Sequence, residues 1–308
     1  MTTAQLDSSD RPLLGILLMF GFCVLAPLGD AVAKILGGTI PLIELLLVRF
    51  FAQAALMLPI VWYSNLTLRM ERKVFWLSTI RTILHIVGIG LMFLALRYLP
   101  LADAVAIAFV MPFIMLLLGR YVLGEQVGWR RLAACVVGFC GTLLVIQPSF
   151  VNVGAAALLP LGVAFIFAFF ILVTRQLARD VDPIALQASN GVMAVILLSV
   201  IYLAGRDTGI SDMQLVWPSQ TDALLMAATG VMGTSAHLLM TWSLRFAPAS
   251  TLAPMQYLEI PIATFFGWLI FKDLPNGLAA WGIMITIAAG LYVIYREHLT
   301  QKHGAPAQ

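Results

Sequence analysis

Charge is scarce in this chain: of 308 residues only 11% are Asp, Glu, Lys or Arg, against about 25% in an ordinary soluble domain. The 18 basic and 15 acidic residues leave a net charge of +3 and form no concentrated basic arm. A nucleic-acid-binding surface is excluded on that balance. Cysteine is nearly absent. Cys23, Cys135 and Cys140 are odd in number and lie inside apolar runs. They read as small buried hydrophobes, with neither a disulfide framework nor a metal site implied. Catalytic signatures are missing too, with no H-E-x-x-H, G-x-S-x-G, phosphate loop or clustered Cys/His set, and no cofactor is expected. Gly233-Thr234-Ser235-Ala236-His237 has the look of a serine elbow but lacks the closing glycine. An N-terminal signal peptide is not expected either. Asp7 and Asp10 stand where positive charge would belong, and the apolar run that follows has no small-residue cleavage site.

What the chain has in excess is apolar surface: 61% of residues are hydrophobic and the mean hydropathy is +0.96. Such a surplus needs a solvent other than water. Apolar segments stand out at 13–36, 41–62, 74–98, 100–119, 129–147, 155–178, 184–205, 222–245, 248–271 and 278–296. Each approaches the roughly 20 residues needed to span a bilayer, and none alternates as a strand would, so helices are predicted. Breakers separate them: Gly37-Gly38 with Pro41, Pro100, Gln147-Pro148, Asp182-Pro183, Pro218, Pro248 and Pro275-Asn276-Gly277. The prolines at 41, 100 and 248 suit first helical turns. The connections are too short for a separate soluble domain. The fold class expected is therefore an all-α polytopic membrane protein with ten transmembrane helices.

Orientation follows from the basic residues. With the N-terminus in the cytoplasm, twelve of the eighteen fall on inner segments, among them Arg69, Arg72, Lys73, Arg120, Arg130 and Arg131. Only Lys34, Arg97, Arg206 and Lys272 lie at outer ends. Both termini are then cytoplasmic. Aromatic residues such as Trp62, Tyr63, Trp76, Trp129, Trp217 and Tyr295 sit near helix ends, as in an interfacial belt.

The chain also repeats itself. Leu96-Arg97-Tyr98-Leu99-Pro100 recurs as Leu244-Arg245-Phe246-Ala247-Pro248, 148 residues on, and at that spacing Gly119 meets Gly267 and Glu125 meets Asp273. The division expected is a tail at 1–12, a first repeat at 13–147, a second at 155–296 and a tail at 297–308. Five helices per copy is an odd number, so the second copy enters the membrane from the opposite side, a common plan of secondary transporters.

Several short motifs carry a family resemblance. In the first half they are Val48-Arg49-Phe50, Leu99-Pro100-Leu101-Ala102-Asp103, Met111-Pro112-Phe113, Leu123-Gly124-Glu125, and Gly138 with Gly141. In the second they are Ala247-Pro248-Ala249-Ser250, Pro254, Tyr257, Gly267 and Phe271-Lys272-Asp273, the last in place of a usual Gly-Glu. The sequence resembles the drug/metabolite transporter superfamily, in its ten-helix group with two tandem EamA domains. That resemblance implies a carrier in the bacterial inner membrane that moves a small molecule by alternating access. Length and the stretch at 99–104 are similar to proteobacterial riboflavin transporters, which makes riboflavin uptake the first expectation. Export of amino acids or other metabolites is the alternative; a channel or an intramembrane enzyme is more distant.

Ionisable groups inside helices are costly and need a partner or a wet cavity. Asp30 and Lys34 are four apart on the first helix, spaced either as a self-neutralising pair or with Asp30 available to a proton. Arg49 is placed about 12 Å into its helix and Glu259 about 16 Å, near the midplane. Arg49 is expected to bind substrate or to hold a carboxylate such as Glu259. Arg81 with His85 one turn on forms a polar stripe, unless Arg81 snorkels to the surface. Glu259, flanked by Pro254 and Pro261, could pair with Arg49 or Arg81 or cycle protons. His237 is a second candidate for ion coupling, with hydrogen-bonded packing as its other reading. Trp242 and Tyr257 are left over from the interfacial belts and could stack on a planar substrate or simply pack. The partners expected are a small-molecule substrate, the lipid bilayer and coupled protons, with no nucleic acid; monomer and homodimer stay open.

Overall fold

The computed structural model describes residues 11–122, 129–247, 252 and 255–303. Leu123-Gly124-Glu125, Pro248-Ala249-Ser250 and Pro254 lie outside the described residues. Helices account for nearly all the rest: α1 (Pro12–Leu36), α2 (Leu42–Tyr63), α3 (Arg72–Leu96), α4 (Leu101–Ala108), α5 (Met111–Val122) and α6 (Trp129–Val153). A 3-10 turn (Gly154–Leu158) leads into α7 (Leu159–Asp180), followed by α8 (Pro183–Gly205) and α9 (Gln220–Phe246). The chain closes with α10 (Glu259–Phe266), a π-helical turn (Gly267–Phe271) and α11 (Gly277–His303).

Local chemistry explains the starts. Asp182 accepts from the Ile184 and Ala185 amides ahead of Pro183, and Ser219 accepts from the Asp222 amide at the head of α9. Pro41 and Pro100 sit in extended conformation at the N-caps, one residue ahead of the first turn expected. Gln147-Pro148 does not end a helix: α6 continues through Pro148 to Val153. Lipid leaves the freed carbonyl no water, and the helix persists.

The segment expected to run unbroken over 100–119 is broken at Phe109 and Val110. Pro112 has no amide hydrogen for the carbonyl four residues back and its ring crowds that carbonyl. The chain turns instead through three-residue bonds, the Phe109 amide donating to the Ala106 carbonyl and the Val110 amide to that of Ile107. A second break falls at Tyr257 and Leu258, with Pro261 following. There the Tyr257 carbonyl accepts from Ile260. The two breaks are 148 residues apart.

Among the described residues, 6 helical stretches are long and apolar enough to cross a membrane, and one of these, Leu132–Asp180, carries both α6 and α7. Leu101–Met115, Glu259–Phe271 and Gly277–Ala289 are apolar but shorter. The ten full-length spans expected are thus not all single long helices, because the proline breaks divide the fourth and ninth. Packing pairs α1 with α9, α3 with α7, α2 with α8, α4 with α10 and α6 with α11. The α6–α11 contact is close enough that a Cβ on Gly282 would lie 2.4 Å from the Gly141 carbonyl oxygen. Thr286 donates to the Gly138 carbonyl across the same seam, again 148 residues away. Around the bundle, large apolar side chains such as Leu13, Phe51, Ile196, Val200 and Trp281 face outward. Such a surface suits lipid.

Candidate functional site

A cavity of about 90 Å³ opens between the helices, room for several waters at the roughly 10–15 Å³ that one requires. Its wall comes from the second halves of α1 and α3, the first halves of α2 and α7, the middle of α9, and both proline breaks. Most of that wall is apolar, with Phe22, Phe93, Phe109 and Phe167 among the rings. Five side chains carry its strongest polar chemistry: Asp30, Arg49, His237, Gln256 and Glu259. Two acids, one base, an imidazole and an amide in an aromatic-lined space make a polar site of mixed charge.

Arg49 is 2% exposed yet makes no ion pair among the described residues. Its Nη1 donates to Gln53 Oε1 at 3.0 Å, and Nη2 lies 3.2 Å from His237 Nδ1. The expected pairing with Glu259 is not formed. Gly233 makes the position possible, because a Cβ there would come within 2.2 Å of Arg49 Nε. His237 Nδ1 also lies 2.9 Å from the Gly233 carbonyl. Arginine can only donate, so a bond from Arg49 places the imidazole proton on Nε2; the other tautomer donates Nδ1–H to Gly233. Either way Nε2 has no protein partner.

The Asp30–Lys34 pair is not made either. Lys34 Nζ reaches the Leu96 and Leu99 carbonyls and stands 5.5 Å from the centre of the Phe271 ring. It is held by the open carbonyls at the α3–α4 junction and leaves Asp30 to face the cavity. Glu259, at the first turn of α10, lies beside the buried thiol of Cys23, whose Sγ is 3.5 Å from the Met255 carbonyl and 4.0 Å from Glu259 Oε1.

Arg81 and His85 are fully buried, which removes the snorkelling alternative for Arg81, but they lie behind the cavity and outside its wall. Arg81 Nε donates to Thr174 at 2.8 Å, Nη2 reaches Thr241 at 3.5 Å, and the guanidinium sits 4.7 Å from the Phe170 ring centre. His85 Nδ1 is 2.8 Å from Asn190 Oδ1, a bond that requires the proton on Nδ1. Asn190 donates to Thr82, Gln53 donates to Asn190 and Gln187, and Gln187 donates to Thr241. This connected polar layer ties α2, α3, α7, α8 and α9 together on one side of the cavity. The two imidazoles bridge layer and cavity, with ring centres 4.3 Å apart. Trp242 and Tyr257 are not part of the cavity wall; Tyr257 packs on Phe109, one ring behind it. Gln53, Gln187, Asn190 and Gln256 had no signal in the sequence, since a neutral amide in an apolar helix does not declare which way it faces.

Comparison with known proteins agrees with this architecture. The profile of the EamA-like transporter family matches residues 13–147 and again 154–296. Among curated relatives, the S-adenosylmethionine uptake transporter of Rickettsia prowazekii is 24% identical, covering 91% of this chain and 92% of its own. The riboflavin transporter of Brucella anthropi is 28% identical over 74% of this chain and 79% of its own, and that of Vibrio cholerae is 26% identical over 84% of each. A crystal structure of a protein with 18% identity superposes with a TM-score of 0.68 over 96% of this chain and 98% of the other, a likeness of fold. The apolar helices and these matches together make the chain a multi-pass membrane protein of transporter type. It belongs to the EamA-like transporter family.

Proposed function

We propose that this protein is a secondary carrier that takes up a small polar metabolite through the inner membrane by alternating access, with the central cavity as its binding site. The observation that carries the reading is the cavity itself: mixed charge and aromatic rings gathered between helices from both halves of the chain. Ten membrane passages in two inverted halves, 13–147 and 155–296, with both termini cytoplasmic, fit the packing. Exchanging the halves maps the α1–α9 contact onto α7–α3 and returns α2–α8, α4–α10 and α6–α11 to themselves. In that orientation the cavity lies toward the outer face and the polar layer of Arg81, Gln187, Asn190 and Thr241 closes the cytoplasmic side. Transport then requires that layer to part as the outer wall closes.

For the cargo, an amino acid carrying a second cationic group and a planar base, of the S-adenosylmethionine kind, comes first. Arg49 can meet a carboxylate, Asp30 and Glu259 can meet cationic groups, and the rings can take a flat base. Riboflavin comes second: its ring system suits the same phenylalanines, and its hydroxyls could donate to the two acids. Uptake of each labelled compound into proteoliposomes containing the purified chain decides between them. Uptake of neither, with efflux of amino acids from loaded vesicles, would replace this reading with the export one.

A further inference from the structure

We propose that Gln256 is a specificity-determining residue that reads the hydrogen-bonding edge of a planar heterocycle stacked among the cavity phenylalanines. The inference rests on reading the cavity as the binding site. Three glutamines are buried among the described residues: Gln53, Gln187 and Gln256. Two of them spend both ends of the amide on the protein. Gln53 accepts from Arg49 and donates to Gln187 and Asn190, and Gln187 accepts from Gln53 and donates to Thr241.

Gln256 is different. It is 1% exposed and lines the cavity, yet neither its Oε1 nor its Nε2 has a protein partner. A buried amide with both ends free is costly and marks a place where a partner arrives. Its position is fixed by the backbone, because Gln256 is the last helical residue before the turn at Tyr257 and Leu258. The Tyr257 ring is braced on Phe109, and Phe109 itself lines the cavity. A primary amide offers one donor and one acceptor side by side in a plane. Its natural complement is a ring edge with an adjacent acceptor and donor, the pattern by which glutamine reads adenine. The ring of such a molecule can stack on Phe22, Phe109 or Phe167, which border the same space. Adenine and the flavin ring both carry an edge of this type, whereas a simple amino acid does not. The substrate class assigned is therefore a metabolite with a planar, edge-bearing heterocycle.

The test measures binding of labelled adenosine and riboflavin to the purified full chain, each against an edge-blocked counterpart. N6,N6-dimethyladenosine and 3-methylriboflavin serve as the blocked forms. Wild type should bind at least one unblocked compound about 5- to 150-fold tighter than its blocked form. Gln256→Leu should weaken the unblocked compound by a similar factor and erase the preference. Should the leucine variant not fold, Gln256→Met carries the same expectation. Equal binding of blocked and unblocked forms by wild type, an unchanged preference in the variants, or no binding by any compound overturns the proposal. Uptake into proteoliposomes separates the two readings. Edge-dependent binding without uptake removes the carrier and keeps Gln256, whereas uptake indifferent to Gln256 does the reverse.

Discussion

The ring of Phe109 packs against the ring of Tyr257, centroids 5.3 Å apart and planes tilted by 43°. Each residue begins a break in its own half, so the two interruptions of the helical scaffold meet beside the cavity. Tyr257 braces the wall and Phe167 forms it. Tyr257→Phe, which keeps the ring, should therefore change substrate KM much less than Phe167→Leu, which removes a cavity ring. Uptake kinetics of the two variants check this, and the reverse order would give the Tyr257 hydroxyl a direct contact with the cargo.

Arg49 lies flat on α9 because residue 233 has no side chain. Gly233→Ala must displace the guanidinium by roughly 1 Å or more to restore van der Waals separation. The variant should reach the membrane at normal levels and lose at least tenfold in substrate affinity, a cost of about 1.4 kcal/mol. Normal affinity would mean that Arg49 does not touch the cargo.

Arg81 is a buried cation with no carboxylate partner among the described residues, and its Nη1 has no hydrogen-bond acceptor. An unpaired charge in a dry interior is costly, and an apolar side chain of similar length removes that cost. Arg81→Met should keep or raise the thermal midpoint while abolishing transport, because the layer it leaves can no longer part and re-form around a polar cargo. A sharply lowered midpoint with residual transport would instead make Arg81 structural.

Outside the bundle, Asp212 in the α8–α9 connection accepts from Arg97 at 2.8 Å and from the Leu42 amide at 3.1 Å. Burial pushes this carboxyl up, but the two hydrogen bonds and the Arg97 charge outweigh it and hold it below the ordinary carboxylate range. The folded form thus binds its proton less readily than the unfolded chain. The stabilisation is full above the unfolded-state value and is lost as pH falls through the lower folded-state one. Hydrogen exchange at the Leu42 amide should show protection at neutral pH that weakens in strong acid, and Asp212→Asn should flatten that dependence.

Glu259 faces the cavity from the start of α10. If it carries the coupled proton, Glu259→Gln should remove the pH dependence of uptake while counterflow exchange continues. Unchanged pH dependence in that variant would pass the role to Asp30 or His237.

Charge within apolar runs was legible in one dimension. Arg49, Arg81, His85, His237 and Glu259 all proved buried or cavity-facing, because only an interior partner makes such residues tolerable in a membrane helix. Their partners were not legible. The choice between Glu259 and the Gln53–His237 couple for Arg49 depends on how α2 is rotated against α9, and that rotation is set by small-residue contacts such as Gly230 on Ala52. Aromatic roles stayed open in the sequence for a related reason. Phe22, Phe109 and Phe167 resemble any other of the 18 phenylalanines until the helices are packed, whereas Trp242 and Tyr257 drew notice only by being left over from the interfaces. The break at Phe109 had its cause written at Pro112, yet the length of the apolar run concealed it.

Cys23 ends up as a clock. Its sulfur is fully enclosed between the Met255 carbonyl and Glu259, and alkylating reagents need a hydrated thiolate. On the carrier reading, capture of this thiol proceeds only while α1 and the ninth segment stand apart, unlike that of the exposed Cys140. The rate at which a small maleimide modifies Cys23, followed on its own peptide apart from Cys140, would count those intervals through a residue the chain already carries.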